Sequence, residues 1–136
     1  MYSSALKEIA EHIDVLDNCY KIKKIFDDTE NLLMIQVLTS NHRIYKCIFY
    51  DEQNRLSNVS IYNTETGKEI RNYTYRGDGK TLSSMREYTE DNKLACVTFF
   101  KEDGKNPSSI IEYDSMGRET QFSIYSDNGE VITQYI

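Results

Sequence analysis

Residues 74–88 read TYRGDGKTLSSMREY, and residues 99–113 read FFKEDGKNPSSIIEY. The two stretches are identical at seven of fifteen positions, including the Asp-Gly-Lys triplets at 78–80 and 103–105. A lone turn dipeptide is common by chance, but seven aligned identities indicate an internal repeat. This repeat is therefore the feature that decides the fold.

An aromatic residue recurs every 12 or 13 positions along the repeat: Tyr50, Tyr62, Tyr75, Tyr88, Phe100, Tyr113 and Tyr125. A turn-forming residue follows each of them four or five positions later: Asn54, Gly67, Gly79, Asn92, Gly104, Gly117 and Gly129. Glycine and asparagine tolerate positive φ, and the roughly eight residues between turns are a usual strand length. Because so short a unit has no room for a helical crossover, the pattern predicts antiparallel neighbours in an up-and-down meander.

The residues before the repeat have a different pattern. An apolar stripe at helical spacing predicts an amphipathic helix over residues 1–20: Leu6, Ile9, Ile13, Leu16 and Tyr20. Two leading strands are predicted over 21–42, and the repeat occupies 43–136. The predicted class is α+β, mainly β: an N-terminal helix and then an antiparallel up-and-down meander sheet of about ten strands, in one domain of residues 1–136. We expect the helix to cover part of the apolar face.

Side-chain alternation predicts two unlike faces of the sheet. We expect the residues three and one positions before each aromatic, such as Cys47 and Val59, to share a mainly apolar face. The aromatic row is then expected on the opposite, amphipathic face. Five tyrosines there are predicted to contact a protein partner: Tyr62, Tyr73, Tyr75, Tyr88 and Tyr113. The alternative is that they form a ladder that stabilises the sheet.

The net charge of −6 argues against direct binding to nucleic acid, whose phosphates attract basic proteins. Opposite potentials steer association, so a basic protein surface is the expected partner. The predicted contacts are acidic turn residues: Asp51, Glu52, Glu90, Asp91, Glu102, Asp103 and Asp127.

The three cysteines, Cys19, Cys47 and Cys96, are odd in number and widely spaced, which is typical of free thiols in a reducing compartment. The first residues contain no apolar run resembling a signal peptide, and no stretch is long enough to span a membrane. We therefore predict a cytoplasmic protein that does not bind membranes.

No motif in the sequence indicates a catalytic site, a metal site or a cofactor. Glu87 and Glu112 occupy equivalent repeat positions and could form a carboxylate pair with glycosidase-like spacing, although the repeat itself explains both. His12 and Cys19 could pair on the predicted helix as base and nucleophile, but no orienting residue accompanies them. An enzyme with an unrecognised site is therefore kept as an alternative.

Residues 113–118, Tyr-Asp-Ser-Met-Gly-Arg, resemble the tyrosine–aspartate (YD) repeat of bacterial polymorphic-toxin shells. Residues 75–80, together with Glu87 and Tyr88, are similar to a repeat of unknown function common in phytoplasma proteins and to MORN-like repeats of bacterial antitoxin components. The resemblance covers residues 43–136. The antitoxin-like family implies binding and neutralising a protein, and none of these families supplies a catalytic residue.

The resulting functional hypothesis is a small, acidic protein-binding inhibitor that occludes a basic effector surface. It would act as an immunity protein or antitoxin, or as a phage-type inhibitor of the anti-CRISPR kind. The first alternative is a structural or scaffolding repeat module that self-associates through the strand at 131–136, so that a homo-oligomer is possible.

Overall fold

The structure, a computed structural model, describes residues 20–136. They form one antiparallel sheet in which ten strands follow one another in sequence order. The strands are β1 (Tyr20–Phe26), β2 (Leu32–Thr39), β3 (Ile44–Tyr50), β4 (Leu56–Tyr62), β5 (Glu69–Tyr75), β6 (Leu82–Tyr88), β7 (Leu94–Phe100), β8 (Pro107–Tyr113), β9 (Glu119–Tyr125) and β10 (Val131–Tyr135). The predicted meander of about ten strands is confirmed.

The α+β class is wrong for the described residues, which are all-β and contain no helix. Residues 1–19 of the predicted helix lie outside the described residues. Tyr20, the last residue of the predicted helical stripe, instead begins β1, where it pairs with Thr39. A step of four residues from Leu16 fits a helix, but pairing with β2 decides the conformation of Tyr20.

Each hairpin turn contains one residue with positive φ, as the turn punctuation predicts. Gly67, Gly79, Gly104, Gly117 and Gly129 fill this position in five turns, and Asn54 and Asn92 fill it in two. The two leading turns use Glu30 and His42, which the glycine–asparagine pattern did not identify. All seven predicted turn positions of the repeat are therefore confirmed.

The predicted assignment of faces is wrong. Cys47 lies opposite Ser60 and Ile48 opposite Val59, so Cys47 and Val59 are on different faces. In each antiparallel pair, a residue lies opposite the residue next to its repeat equivalent and not opposite the equivalent itself. Equivalent positions of consecutive strands therefore lie on opposite faces. We call face A the face with these residues: Ile48, Val59, Tyr73, Met85, Thr98, Ile110 and Ser123. Face B carries their neighbours: Cys47, Ser60, Asn72, Arg86, Val97, Ile111 and Phe122.

The structural repeat is consequently two strands long. This explains why the sequence identities join residues 74–88 to residues 99–113, two strands further on, and are weaker between adjacent units.

The core cluster lies at the leading side of the sheet, in β2 to β4. Its members are at most 2% exposed: Leu32, Ile35, Val37, Ile48 and Val59. Lys46, next to them on face A between Val37 and Ile61, is also buried. On the far side of the sheet, Ile124 is 47% and Ile132 is 71% exposed.

Candidate functional site: two rows of turns

Consecutive hairpins turn at opposite ends of a meander, so the nine turns form two rows. We call one row the acidic end; its turns are 27–31, 51–55, 76–81, 101–106 and 126–130. We call the other row the mixed end; its turns are 39–43, 63–68, 89–93 and 114–118. The acidic end carries ten acidic and five basic side chains, a net charge of −5, whereas the mixed end carries four of each.

The predicted acidic contacts are divided between the two rows. Five of them lie at the acidic end: Asp51, Glu52, Glu102, Asp103 and Asp127. The other two, Glu90 and Asp91, lie at the mixed end. The sequence places negative charge in almost every unit, but the alternation of hairpins concentrates it on one side.

The predicted tyrosines are divided too, so they do not form one face. Tyr62, Tyr88 and Tyr113 end even-numbered strands and lie on face B at the mixed end. Tyr73 and Tyr75 lie on face A, and Tyr75 adjoins the acidic end. The single amphipathic tyrosine face is therefore a wrong prediction, since it assumed that consecutive units present the same face.

The tyrosines are only partly exposed and belong to the packing of the sheet. Tyr73 and Tyr75 pack against the core cluster. Burial raises the pKa of Tyr62 and of Tyr88, as expected for phenols withdrawn from water. These contacts favour a role in the packing of the sheet, in which Tyr73 lies opposite Val59 and Met85 and not opposite another tyrosine.

An aromatic row next to the acidic end was not predicted. Face A carries Tyr50, Tyr75, Phe100 and Tyr125 at the ends of odd-numbered strands. Their spacing of 25 residues is the signal that identifies the row, since it equals the two-strand repeat. Tyr75 alone among them was proposed as a contact.

The turn aspartates hold their own turns together. Asp51 accepts hydrogen bonds from the backbone N–H groups of Gln53 and Arg55, each at 2.9 Å. Asp103 accepts the N–H groups of Lys105 and Asn106 at 2.9 and 3.0 Å. Hydrogen bonds from the Asn106 and Lys105 backbones lower the pKa of Asp103 to about 2. Asp51 and Asp103 thus fix the turns, while glutamates beside them point their charge outward.

Asp78 has the same role in the turn between these two. Its carboxylate accepts the Thr81 hydroxyl and the backbone N–H groups of Lys80 and Thr81. These bonds, that of the Thr81 hydroxyl above all, lower the pKa of Asp78 to about 2. Six exposed carboxylates of the acidic end lie beside the capping aspartates: Asp28, Glu30, Glu52, Glu102, Asp127 and Glu130.

Turns at the acidic end touch one another. A Cβ atom built on Gly79 would lie 2.9 Å from Cβ of Arg55, and one built on Gly104 would lie 2.6 Å from Cγ2 of Thr81. Arg76 reinforces the contact, because its Nη2 donates to the Phe100 and Lys101 carbonyls at 2.9 Å. The turns 51–55, 76–81 and 101–106 therefore form a continuous ridge, whereas Gly129 of the last turn faces open space.

Lys101 extends this ridge to the last turn. Its Nζ donates to the Ser126 carbonyl at 2.6 Å and lies 3.7 Å from the Asp127 carboxylate. Arg76 and Lys101 do not occupy the position after the turn glycine, so the repeat pattern did not identify them. The sequence feature that identifies them is a basic residue at the first turn position, which both repeats, 74–88 and 99–113, share.

At the mixed end, long basic side chains span the distance between turns. Arg43 Nη1 donates to the Thr64 carbonyl at 3.1 Å, Lys68 Nζ to that of Glu90 at 3.3 Å and Lys93 Nζ to that of Ser115 at 3.1 Å. Gly67 and Gly117 face open space.

A cavity of about 390 Å³ lies in this row, lined by Arg43, Ile44, Tyr62 and residues 64–67. The Arg43 guanidinium that lines it already bonds a carbonyl of the neighbouring turn.

Glu87 and Glu112 lie on face A with Cys96 directly between them. Arg71 stands on the other side of Glu87, 4.0 Å from its carboxylate. Burial raises the pKa of Cys96, which is the opposite of what a thiolate nucleophile needs. Within residues 20–136, no group of three or more His, Cys, Asp and Glu side chains is placed to hold a metal ion. His12 and Cys19 lie outside the described residues.

Residues 49–98 match the family described as "Protein of unknown function (DUF2963)". This match supports a repeated unit of unknown function but does not identify YD or MORN repeats. Among curated proteins, none matches the sequence. In the described part of the chain, no helix is long and apolar enough to cross a membrane.

The fold is similar to part of larger solved structures. TarM is 17% identical at a TM-score of 0.57, with 93% of this chain and 23% of TarM covered. A S. aureus TarM mutant in complex with fondaparinux, alpha-GlcNAc-glycerol and UDP is 16% identical at a TM-score of 0.58, with 93% and 23% covered. The pneumococcal O-GlcNAc transferase GtfA, in complex with UDP and GlcNAc, is 15% identical at a TM-score of 0.55, with 91% and 22% covered. This chain thus spans under a quarter of each, and the likeness extends to the fold alone.

Proposed function

We propose that this protein is a protein-binding inhibitor whose acidic end docks on a basic surface of an effector, such as a toxin or nuclease, and occludes it. The observation that carries the proposal is the net charge of −5 on one row of turns against zero on the other. A one-sided potential orients a partner during association and selects basic surfaces over acidic ones.

The construction of the acidic end supports docking. Contacts among the turns 51–55, 76–81 and 101–106 and the capping aspartates fix the backbone there, so the exposed Glu52 and Glu102 would lose little conformational freedom on binding. The face A aromatic row, Tyr50, Tyr75, Phe100 and Tyr125, adjoins the ridge and would supply apolar contact area. The proposal therefore replaces the predicted single tyrosine face with the acidic end and the aromatic row beside it.

The test compares two charge-matched triple variants against an effector nuclease encoded beside this protein. Glu52→Lys/Glu102→Lys/Glu130→Lys reverses exposed carboxylates at the acidic end. Glu65→Lys/Glu90→Lys/Asp91→Lys makes the same change in charge at the mixed end. Both sets lie in exposed turn positions.

We expect the acidic-end variant to raise the dissociation constant of the complex at least about tenfold and to lose inhibition, while the mixed-end variant keeps most of both. Equal losses in the two variants would show that total charge matters and its position does not. Retained inhibition by the acidic-end variant would reject the proposal.

A second candidate, the self-associating module, is favoured by a separate observation: the uncharged, exposed strand β10 at one edge of the sheet.

A further inference from the structure

The two edge strands of the described sheet differ in charge. β1 contains Lys21, Lys23 and Lys24, and β10 (Val131–Tyr135) contains no charged residue. Lysines on an edge strand oppose pairing with another chain, because strand addition would bring like charges together or bury them. β1 therefore has this protection and β10 does not.

β10 also presents unused backbone groups. The Ile136 N–H donates to the Thr120 carbonyl of the β9 side at 3.0 Å. Since successive residues of an antiparallel strand direct their N–H and C=O groups to opposite sides, Val131, Thr133 and Tyr135 direct theirs away from β9. Within residues 20–136, β10 pairs with β9 alone.

We propose that β10 pairs antiparallel with β10 of a second copy of this chain, about a two-fold axis at Thr133. Thr133 then lies opposite its own counterpart, and Val131 lies opposite Tyr135 of the second copy. Threonine–threonine and aromatic–β-branched pairs stabilise antiparallel strands. β10 already makes similar pairs with β9: the Ser123 and Thr133 hydroxyls are 3.1 Å apart, and Val131 pairs with Tyr125.

The second copy fits this edge better than β1 of another molecule. Head-to-tail pairing with β1 would place three lysines against a strand without acidic residues and would leave open ends. Two-fold pairing joins two uncharged strands and gives a closed dimer. It also covers the edge of an apolar pair on face B, Ile124 and Ile132, which lie opposite each other and are 47% and 71% exposed.

The test is sedimentation velocity of the whole 136-residue chain from about 1 μM to about 1 mM. We expect a monomer–dimer equilibrium in this range, since pairing of short strands buries less than the roughly 1,600 Å² of a standard stable interface.

Thr133→Lys brings two lysines together on the axis and should raise the dimer dissociation constant at least about tenfold. Ser115→Lys, an exposed turn position with the same change in charge, should leave it unchanged.

Tyr135→Lys is the second variant, because a side chain already 77% exposed tolerates substitution without unfolding. It should weaken the dimer as well. A chain that stays monomeric up to the highest concentration would overturn the proposal, as would dimers that both variants leave intact. Species larger than dimers would indicate head-to-tail pairing and also overturn it. The Glu52→Lys/Glu102→Lys/Glu130→Lys variant should still dimerise, which separates this proposal from effector binding.

Discussion

The turns at the acidic end and at the mixed end have similar sequences but pack differently. At the acidic end, Gly79 and Gly104 let turn backbones touch. At the mixed end, Gly67 and Gly117 face open space, as Gly129 does in the last acidic-end turn, and the Lys68 and Lys93 side chains reach the carbonyls of neighbouring turns. The difference shows that a glycine with positive φ identifies a turn. Whether that turn belongs to a ridge depends on how close the neighbouring turns of the same row lie.

The largest expected effect separates two glycine substitutions. Gly104→Ala and Gly117→Ala each place a side chain at positive φ, +69° and +80°, which costs about 1–2 kcal/mol. The alanine at 104 would also meet the Leu82 nitrogen at 2.9 Å, adding about 1–3 kcal/mol of overpacking. Chemical denaturation should find Gly104→Ala the less stable of the two. Equal losses would contradict a contact between turns at the acidic end.

A smaller effect is expected from the bridging cations. Lys101→Met removes a hydrogen bond to the Ser126 carbonyl and the Asp127 ion pair, at a cost of about 1 kcal/mol. Lys93→Met removes one bond of an exposed lysine and should cost less than about 0.5 kcal/mol. Lys80→Met, at an exposed turn position, is the control and should leave the free energy of unfolding unchanged. A larger loss for Lys93→Met than for Lys101→Met would reverse the comparison.

The smallest effect appears only in acid. The pKa of Asp78 and of Asp103 is about 2 in the folded protein against an ordinary 3.8, so their carboxylates stabilise the fold fully above about pH 4. That contribution is lost as the pH falls toward 2. Asp78→Asn/Asp103→Asn keeps an oxygen acceptor but cannot titrate. Thermal unfolding followed by circular dichroism should therefore give a flatter profile between pH 4 and pH 2 than the unsubstituted protein; parallel profiles would contradict the role of these aspartates.

The strands and turns could be predicted from sequence because each depends on local chemistry. Positive φ at Gly and Asn, and strand-length segments between them, are properties of single units. The faces could not be predicted in this way, because they depend on how neighbouring units pair. Cys47 and Val59 hold the same position in their units, yet one residue of offset places them on opposite faces.

The candidate site was partly predictable for the same reason. Negative charge in the turns is visible in the sequence, whereas its concentration at one end requires the alternation of hairpins. Contacts such as Arg76 with the Phe100 carbonyl join residues two strands apart, so they follow from the packing of turns and not from any single motif.

The register of the strands underlies both the division of faces and the two rows of turns, and cross-strand nuclear Overhauser effects measure it directly. Backbone contacts are expected between Cys47 and Ser60, between Ser60 and Asn72, and between Asn72 and Arg86. Contacts that instead place Cys47 opposite Val59 would put equivalent positions on one face and contradict the two-strand repeat.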